Sequence, residues 1–207
     1  MLISRTKKFI FIHIYKNAGT SIRRTLHPYA YGRFQQAGNV LLKRIGIHAL
    51  NPTPYHTHIT ARDAAHCLGP EKFNSYFSFA FVRNPWDWHA SLYTFMLKDT
   101  THYLHSFVKD LEGFDEYVEW VCNREKITLQ SDFIMSDNGE KLVDYVGRFE
   151  NLQEDFQVVC STLGIEADLP KLNSSQSSQY KTLYKKNSID LISETYKKDI
   201  DFFEYEF

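Results

Sequence analysis

Two short segments of this chain combine cations, hydroxyls and a helix start in a pattern typical of anion binding. The first runs from Lys16 to Ser21, reads KNAGTS, and follows the apolar run FIFIHI. Backbone N–H groups at a helix start carry partial positive charge and bind phosphate or sulfate. Gly19 would let the backbone approach such an anion closely, Thr20 and Ser21 would add hydroxyl donors, and Lys16 would add a cation. The segment therefore predicts an anion-binding loop.

The order of residues in this loop differs from that of a nucleotide triphosphatase. A Walker A loop places its lysine directly after the last glycine and follows it with a Ser or Thr that binds magnesium. Here Lys16 precedes Gly19. Two alternatives stay open: a kinase-like phosphotransferase with the same strand, loop and helix geometry, and a plain surface turn in which Gly19 is only a bend.

The second segment, FAFVRNPWDWHAS, places Arg83 at the end of an apolar run and starts a helix directly after it. Asn84 is typical of a helix N-cap, and Pro85 of the first helical turn. An arginine binds phosphate through parallel hydrogen bonds, and Ser91, two turns along, could share that ligand. The segment predicts a second phosphate site. The alternative is a salt bridge from Arg83 to Asp87 beneath packed tryptophans.

Of the histidines between the two segments, three lie close together in the sequence, at His56, His58 and His66. An imidazole titrates near neutral pH and can accept a proton from a nucleophile. We predict His58, just before the helix cap Thr60, as the catalytic base, with His56 as the second candidate. Two histidines two positions apart can also bind zinc when a strand points them the same way. No second cluster of Cys, His or Asp completes such a site, so we predict no metal.

Alternating strands and helices must hold these segments in place. Continuous apolar runs predict buried strands over 9–14 and 76–82, each followed by a tight turn and a helix. The first of these helices is predicted over 20–26, ending before Pro28, and the second up to Lys98. A strand is also predicted over 142–149, and helices over 61–68, 114–121, 152–163 and about 188–203. The pattern predicts an α/β, P-loop-like three-layer fold with a central parallel sheet flanked by helices.

Length and charge limit the protein class. The 207 residues contain no Pro-, Gly- or Ser-rich linker, so we predict a single domain over 1–207. A formal net charge of −1 argues against a nucleic-acid or anionic-membrane partner. The N-terminal apolar run is not typical of a signal peptide, and no stretch approaches the roughly 18 apolar residues of a spanning helix. We expect a soluble, cytoplasmic protein.

Taken together, the segments resemble the sulfotransferase superfamily, in particular the branch of carbohydrate sulfotransferases and small bacterial relatives. In that family a Lys-Thr-Ala-Gly-Thr-Ser-like loop binds the 5′-phosphosulfate of 3′-phosphoadenosine-5′-phosphosulfate (PAPS), and an Arg-x-Pro…Ser segment binds its 3′-phosphate. The resemblance also covers segments at 58–62, 148–152, 172–174 and 196–200, and so nearly the whole chain. It places the donor site on Lys16, Asn17, Ala18, Gly19, Thr20, Ser21, Arg83 and Ser91.

The resemblance implies a metal-independent transfer of a sulfuryl group from PAPS to a hydroxyl or amine, with a small-molecule or saccharide acceptor. The family position that matches His58 often carries a histidine, which supports its role as base. Lys16 would stabilise the bridging oxygen as the bond to sulfur breaks. Arg62 would orient the base or contact the sulfate, and His56 would lie on the substrate side.

Two positions depart from the family pattern. Tyr15 stands where a proline is common, and Asn17 where a threonine is common. Loss of the proline removes a fixed φ at the loop entry and bears on donor affinity rather than reaction type. A nucleotide-binding module without catalysis is the remaining alternative. The presence of His58 beside the donor loops favours an enzyme.

Overall fold

The computed structural model describes residues 1–30, 57–170 and 179–207. Contacts between Cα atoms divide the chain into two compact units. Unit 1 comprises residues 1–82 and 132–170, and unit 2 comprises residues 83–131 and 171–207. Each unit is described by itself, and the single domain over 1–207 stays a prediction.

Within the described ranges the elements follow one another in this order: β1 Leu2–Ser4, β2 Phe9–Ile12, α1 Gly19–Ala30, α2 Ala61–Leu68, α3 Pro70–Asn74, β3 Phe77–Val82, α4 Pro85–Lys98, α5 His105–Asp110, α6 Phe114–Cys122, β4 Tyr145–Arg148, α7 Leu152–Leu163, α8 Lys186–Thr195 and α9 Lys197–Phe203. Short 3₁₀ helices span Ser131–Phe133, Phe149–Asn151 and Gln179–Leu183. The α/β class and the central sheet flanked by helices are confirmed.

The sheet of unit 1 has the strand order β1-β2-β3-β4. Strands β2, β3 and β4 run parallel, whereas β1 pairs antiparallel with β2 at the edge. The parallel centre agrees with the prediction, and the sheet as a whole is mixed. The edge strand β1 was not predicted, because three residues are too few to show an alternation of apolar and polar side chains.

The main apolar core of unit 1 lies on one face of this sheet. Aromatic side chains of β2 and β3 pack there against α1 and α7, and the buried members include Phe9, Phe11, Phe79, Phe81, Ile22, Leu26, Phe156 and Val159. The alternate strand residues Ile10, Ile12 and Ala80 are also fully buried. Both faces of these strands are therefore covered, which explains why their sequences are continuously apolar rather than alternating.

Helix α1 is longer than predicted. It continues through Pro28 to Ala30, although proline lacks the N–H that would bond to an earlier carbonyl. Two features support the last turn. Ala30 is buried in the core, four positions after Leu26. The hydroxyl of Ser4 donates to the Tyr29 carbonyl, so that this helix-end oxygen has a partner. The prediction that the helix ends before Pro28 is wrong.

The predicted helix caps are confirmed. The Thr60 hydroxyl accepts a hydrogen bond from the Asp63 N–H at 3.1 Å at the start of α2. The Asn84 side-chain oxygen accepts one from the Trp86 N–H at 3.0 Å at the start of α4. Gly164 adopts the left-handed conformation that ends α7, with φ 57°. The Asn84 cap sets the point at which the chain leaves β3 and begins α4.

The C-terminal helix of unit 2 is two helices rather than the single one predicted over about 188–203. The chain breaks at Tyr196, where φ is −103° and ψ is 19°. The Asp199 carboxylate, fully buried in α9, accepts hydrogen bonds from the Gln130 N–H at 2.6 Å and the Ser131 N–H at 3.0 Å. The spacing of apolar residues could not reveal this break. The position of α9 is fixed in part by the hydrogen bonds of a buried carboxylate to residues far away in the chain, which an apolar pattern does not show.

Candidate functional site

The loop between β2 and α1 has left-handed backbone at two residues that are not glycine. Lys16 has φ 65° and Ala18 has φ 57°, both in the left-handed region that non-glycine residues avoid, and the φ of Asn17 between them is not positive. Each left-handed residue costs about 1–2 kcal/mol. In other proteins an alternation of left- and right-handed residues turns successive N–H groups toward one concave, anion-binding side. Anion binding by this loop stays a prediction. Strain of this kind is typical of functional loops.

Asn17 ties this loop to the neighbouring strand. Its side chain is buried, and its amide nitrogen donates to the Phe81 carbonyl of β3 at 2.8 Å. The amide therefore supports the strained backbone on either side of it. A contact between Asn17 and a bound nucleotide stays a prediction. The same holds for the other predicted residues of the loop and the first turn of α1, which are partly or fully exposed: Lys16, Ala18, Thr20 and Ser21.

Gly19 is more than a bend in the chain. It is buried, and an ideal Cβ at this position would lie 1.8 Å from Nε2 and 1.9 Å from Cδ2 of His13. Real Cβ atoms do not approach other heavy atoms so closely. The imidazole of His13 therefore packs directly on the first residue of α1, and a side chain at position 19 would force that ring to move.

The predicted base, His58, is held by the same residue. His58 Nδ1 lies 3.0 Å from the His13 carbonyl oxygen, and the two rings are 4.6 Å apart between centroids. A carbonyl only accepts, so Nδ1 carries the proton and the neutral ring has its basic lone pair on Nε2. Arg23 on α1 donates to the Thr57 hydroxyl at 3.3 Å, which ties the residue before His58 to α1.

Tyr15 also contacts His58. Its ring meets the His58 ring edge-on with 5.6 Å between centroids, and it meets Phe133 in the same manner at 6.1 Å. Edge-to-face aromatic pairs stabilise by roughly 0.5–1.5 kcal/mol beyond burial. The residue that replaces the common proline therefore supports the orientation of His58.

The other predicted residues of this region are placed differently. Arg62 lies exposed on α2 and pairs with Asp137. His66 is exposed on the same helix, and His56 lies outside the described residues. Across residues 1–30, 57–170 and 179–207, no group of three or more His, Cys, Asp or Glu is arranged to hold a metal ion. The roles of Arg62 and His56 stay predictions.

In unit 2, Arg83 makes the salt bridge that was the alternative reading of its segment. Its Nε donates to Asp87 Oδ2 at 2.8 Å, and both side chains are nearly buried. The guanidinium has five N–H donors in a fixed plane. A carboxylate that accepts from Nε therefore fixes the orientation of that plane, and a phosphate-binding role for Arg83 stays a prediction. Ser91, two turns along α4, is partly exposed.

Gln130 is a support of Arg83 that sequence reasoning missed. Its side-chain oxygen accepts from the Arg83 N–H at 2.9 Å, and its side-chain nitrogen donates to the Arg83 carbonyl at 2.7 Å. Gln130 is fully buried, and its own N–H is held by Asp199. The backbone of Arg83 is thus paired on both its polar groups directly after β3 ends. No sequence signal marks a glutamine that is distant in the chain as this partner.

His13 was missed as well, although a signal for it exists. It follows Phe9 and Phe11 at spacings of two, so it lies on the strand face that packs against α1, and its ring stacks on Phe11 at 5.7 Å. A polar residue that continues a buried apolar face is unusual. Burial, and then the nearby His58, lowers the pKa of His13 to about 3, which keeps its ring neutral.

Comparison with known proteins gives two findings. A family model described as "Sulfotransferase family" matches residues 1–206. A protein of Archaeoglobus fulgidus, described as uncharacterized, is 28% identical over 120 residues, which cover 56% of this chain and 92% of that relative. A search of the described helices for one long and apolar enough to cross a membrane found none.

Proposed function

The chain belongs to the sulfotransferase family, and we propose that it transfers a sulfuryl group from PAPS to a hydroxyl or amine of an acceptor. One observation carries the proposal: in unit 1, the His13 residue packs on Gly19 of the strained loop and holds Nδ1 of His58 at 3.0 Å. An anion-binding loop and an oriented base are thereby attached to the same strand end. Sulfuryl transfer needs both.

The reaction assigns a separate task to each residue. In the transfer, an acceptor oxygen or nitrogen bonds to sulfur, the bond from sulfur to the bridging oxygen breaks, and 3′-phosphoadenosine-5′-phosphate (PAP) leaves. His58 accepts the acceptor's proton at Nε2, because Nδ1 donates to a carbonyl. Lys16 supplies positive charge at the loop, where the leaving oxygen becomes negative. The first-turn N–H groups of α1 hold the 5′-phosphate end.

The 3′-phosphate is assigned to Arg83 with Ser91. The supporting observations are the Asp87 carboxylate, which fixes the guanidinium plane, and the Gln130 amide, which pairs both polar groups of the Arg83 backbone. A pre-oriented guanidinium loses less side-chain entropy when it binds a phosphate. This assignment favours a nucleotide with two separate anionic ends over a triphosphate.

Saccharides are the first acceptor class to screen. The supporting observation in unit 2 is Tyr103, a residue that is 83% exposed and whose ring stacks on His102 with 4.7 Å between centroids. A flat exposed aromatic face is a surface on which a sugar ring can stack. The family resemblance favours the same class. Small hydroxyl and amine compounds form the second panel.

Calorimetric titration with PAP, and separately with ATP plus magnesium, tests the donor assignment. We expect tight binding of PAP without magnesium, and binding weakened at least tenfold in Arg83→Ala. The control is Arg24→Ala, which removes an exposed arginine of α1 and should leave PAP affinity near that of the unmodified protein. Transfer of labelled sulfate from PAPS to the acceptor panels then tests catalysis.

The other outcomes favour different functions. Binding of ATP with magnesium in place of PAP would favour the phosphotransferase. A nucleotide-binding module would be favoured if PAP binds but no compound of either acceptor panel receives sulfate, with the unmodified protein and with His58→Gln alike. If neither nucleotide binds, the proposed donor is wrong.

A further inference from the structure

We propose that His13 is a donor-binding residue, whose neutral imidazole donates a hydrogen bond from Nε2 to the 5′-phosphate end of the bound nucleotide. The proposal rests on the proposed function. It adds a second histidine to the site, distinct from the base His58. The ligand chemistry is a phosphate or phosphosulfate oxygen in the β2–α1 loop.

The position of the ring is the first argument. Only 7% of His13 is exposed, and the edge of its ring that contains Nε2 points at Gly19, the first residue of the twelve-residue helix α1. The N–H groups of that first helical turn are the groups that bind an anion in such a loop. The absence of a side chain on Gly19 leaves Nε2 next to this backbone. An anion seated on the helix start would therefore lie beside Nε2.

The position of the proton is the second argument. His13 Nδ1 is buried and has no hydrogen-bond partner among the described residues. A buried N–H without an acceptor is rarer than an acceptor that lacks a donor. The proton of the neutral ring therefore belongs on Nε2, and the orphaned atom is the Nδ1 lone pair. In this tautomer, the nitrogen beside Gly19 is a donor.

The charge state agrees with this role. Burial first, and then the neighbouring His58, lowers the pKa of His13 to about 3. The ring is neutral at physiological pH and so donates a hydrogen bond without adding a charge. A bound anion favours protonated imidazole. We therefore expect the pKa of His13 to rise when the nucleotide binds.

The alternative is that His13 has only a packing role between Gly19 and His58. With only a packing role, His13→Phe should keep its affinity for PAP, because phenylalanine retains a ring of similar size and lacks only the two nitrogen atoms. If His13 binds the donor, that affinity should fall. The 5′-phosphate also separates the two readings, because PAP has that group and adenosine 3′-phosphate lacks it.

The test titrates the complete chain and its His13→Phe variant with PAP and with adenosine 3′-phosphate. A hydrogen bond to a charged group contributes about 1.5–3 kcal/mol, so we expect PAP affinity to fall roughly ten- to hundredfold, with adenosine 3′-phosphate affinity nearly unchanged. His13→Gln, which retains an N–H donor, should recover part of the PAP affinity. Equal losses for both nucleotides, or no loss for PAP, would overturn the proposal.

¹⁵N NMR of the unmodified protein labelled at its histidines gives a second measurement, which does not depend on whether a variant folds. We expect the unliganded protein to show His13 with its proton on Nε2, and PAP to shift that Nε2–H resonance. The exposed His66 serves as the control and should not shift. A proton on Nδ1, or an unshifted Nε2 in the PAP complex, would overturn the proposal. If the unmodified protein binds no PAP, the proposed donor fails and this inference fails with it.

Discussion

The imidazole of His13 occupies the space that a side chain on Gly19 would need, since an ideal Cβ there would lie 1.8 Å from Nε2. The same residue accepts the Nδ1 hydrogen bond of His58 through its carbonyl. A single residue at the end of β2 therefore contacts both Gly19 of the β2–α1 loop and His58, the predicted base. Changes at Gly19 should act through His13.

Gly19→Ala should destabilise the fold by about 1–3 kcal/mol, because overpacking of a filled site forces neighbours to move. The double variant with His13→Ala should recover part of this loss, because the added methyl then enters the space of the removed ring. Urea denaturation of the four proteins in a double-mutant cycle measures the coupling, which we expect to exceed about 0.5 kcal/mol. Additive losses would show that the two residues do not compete for the same space.

His58→Gln should lower kcat by a factor of about 10²–10⁴ and leave PAP affinity within about twofold of the unmodified protein. General base catalysis is of that size, and the base acts on the acceptor rather than on the nucleotide. Sulfate transfer to the acceptor found by screening measures kcat, and calorimetry measures affinity. His66→Gln, at an exposed histidine of α2, is the matched control and should change neither. A His58 variant with full kcat would require another base.

Gln130→Leu should weaken the 3′-phosphate site. It leaves the Arg83 N–H and carbonyl without the partners they have at 2.9 and 2.7 Å. Unsatisfied buried polar groups cost about 1–3 kcal/mol each, so the free energy of unfolding should also fall. Calorimetry with PAP and with adenosine 5′-phosphate separates the two ends of the nucleotide. We expect a loss of affinity for PAP alone. Equal losses of affinity for both ligands would assign Gln130 a general structural role.

Local signals predicted the parts of this molecule that local interactions determine. The caps at Thr60 and Asn84 were predictable because a side chain satisfies an N–H two or three residues away. The continuous apolar runs around Phe11 and Phe79 predicted strands buried on both faces. The turn between β2 and α1 was predictable because its residues are consecutive in the chain, whereas anion binding by that turn stays a prediction.

Features that depend on distant residues could not be predicted in the same way. Gln130 is 47 positions from Arg83, and Asp199 is 69 positions from Gln130. The Tyr29 carbonyl at the end of α1, after Pro28, accepts a hydrogen bond from the Ser4 hydroxyl, 25 positions away. In each case the partner lies far away in the chain, where short-range propensity gives no information about it.

Two buried histidines should make the stability of the fold depend on pH. Burial lowers the pKa of both His13 and His89 to about 3, whereas an unfolded histidine titrates near pH 6.5. Between these values the unfolded chain binds a proton that the native state does not. The free energy of unfolding is therefore largest above about pH 6.5 and falls as the pH decreases toward 3, by up to about 1.4 kcal/mol per pH unit for each histidine.

His89→Gln isolates one of these two protons. His89 is packed against Tyr196 at 4.5 Å between ring centroids, with Nδ1 3.3 Å from the Tyr117 hydroxyl, and glutamine retains polar atoms for that hydroxyl without titrating. Urea denaturation between about pH 4.5 and 6 should show a slope smaller than that of the unmodified protein by roughly 1.0–1.3 kcal/mol per pH unit, because the unfolded histidine is mostly but not fully protonated in this range. Carboxylates contribute equally to both proteins, so the difference reports the histidine. An unchanged slope would mean that native His89 binds its proton as readily as an unfolded histidine does.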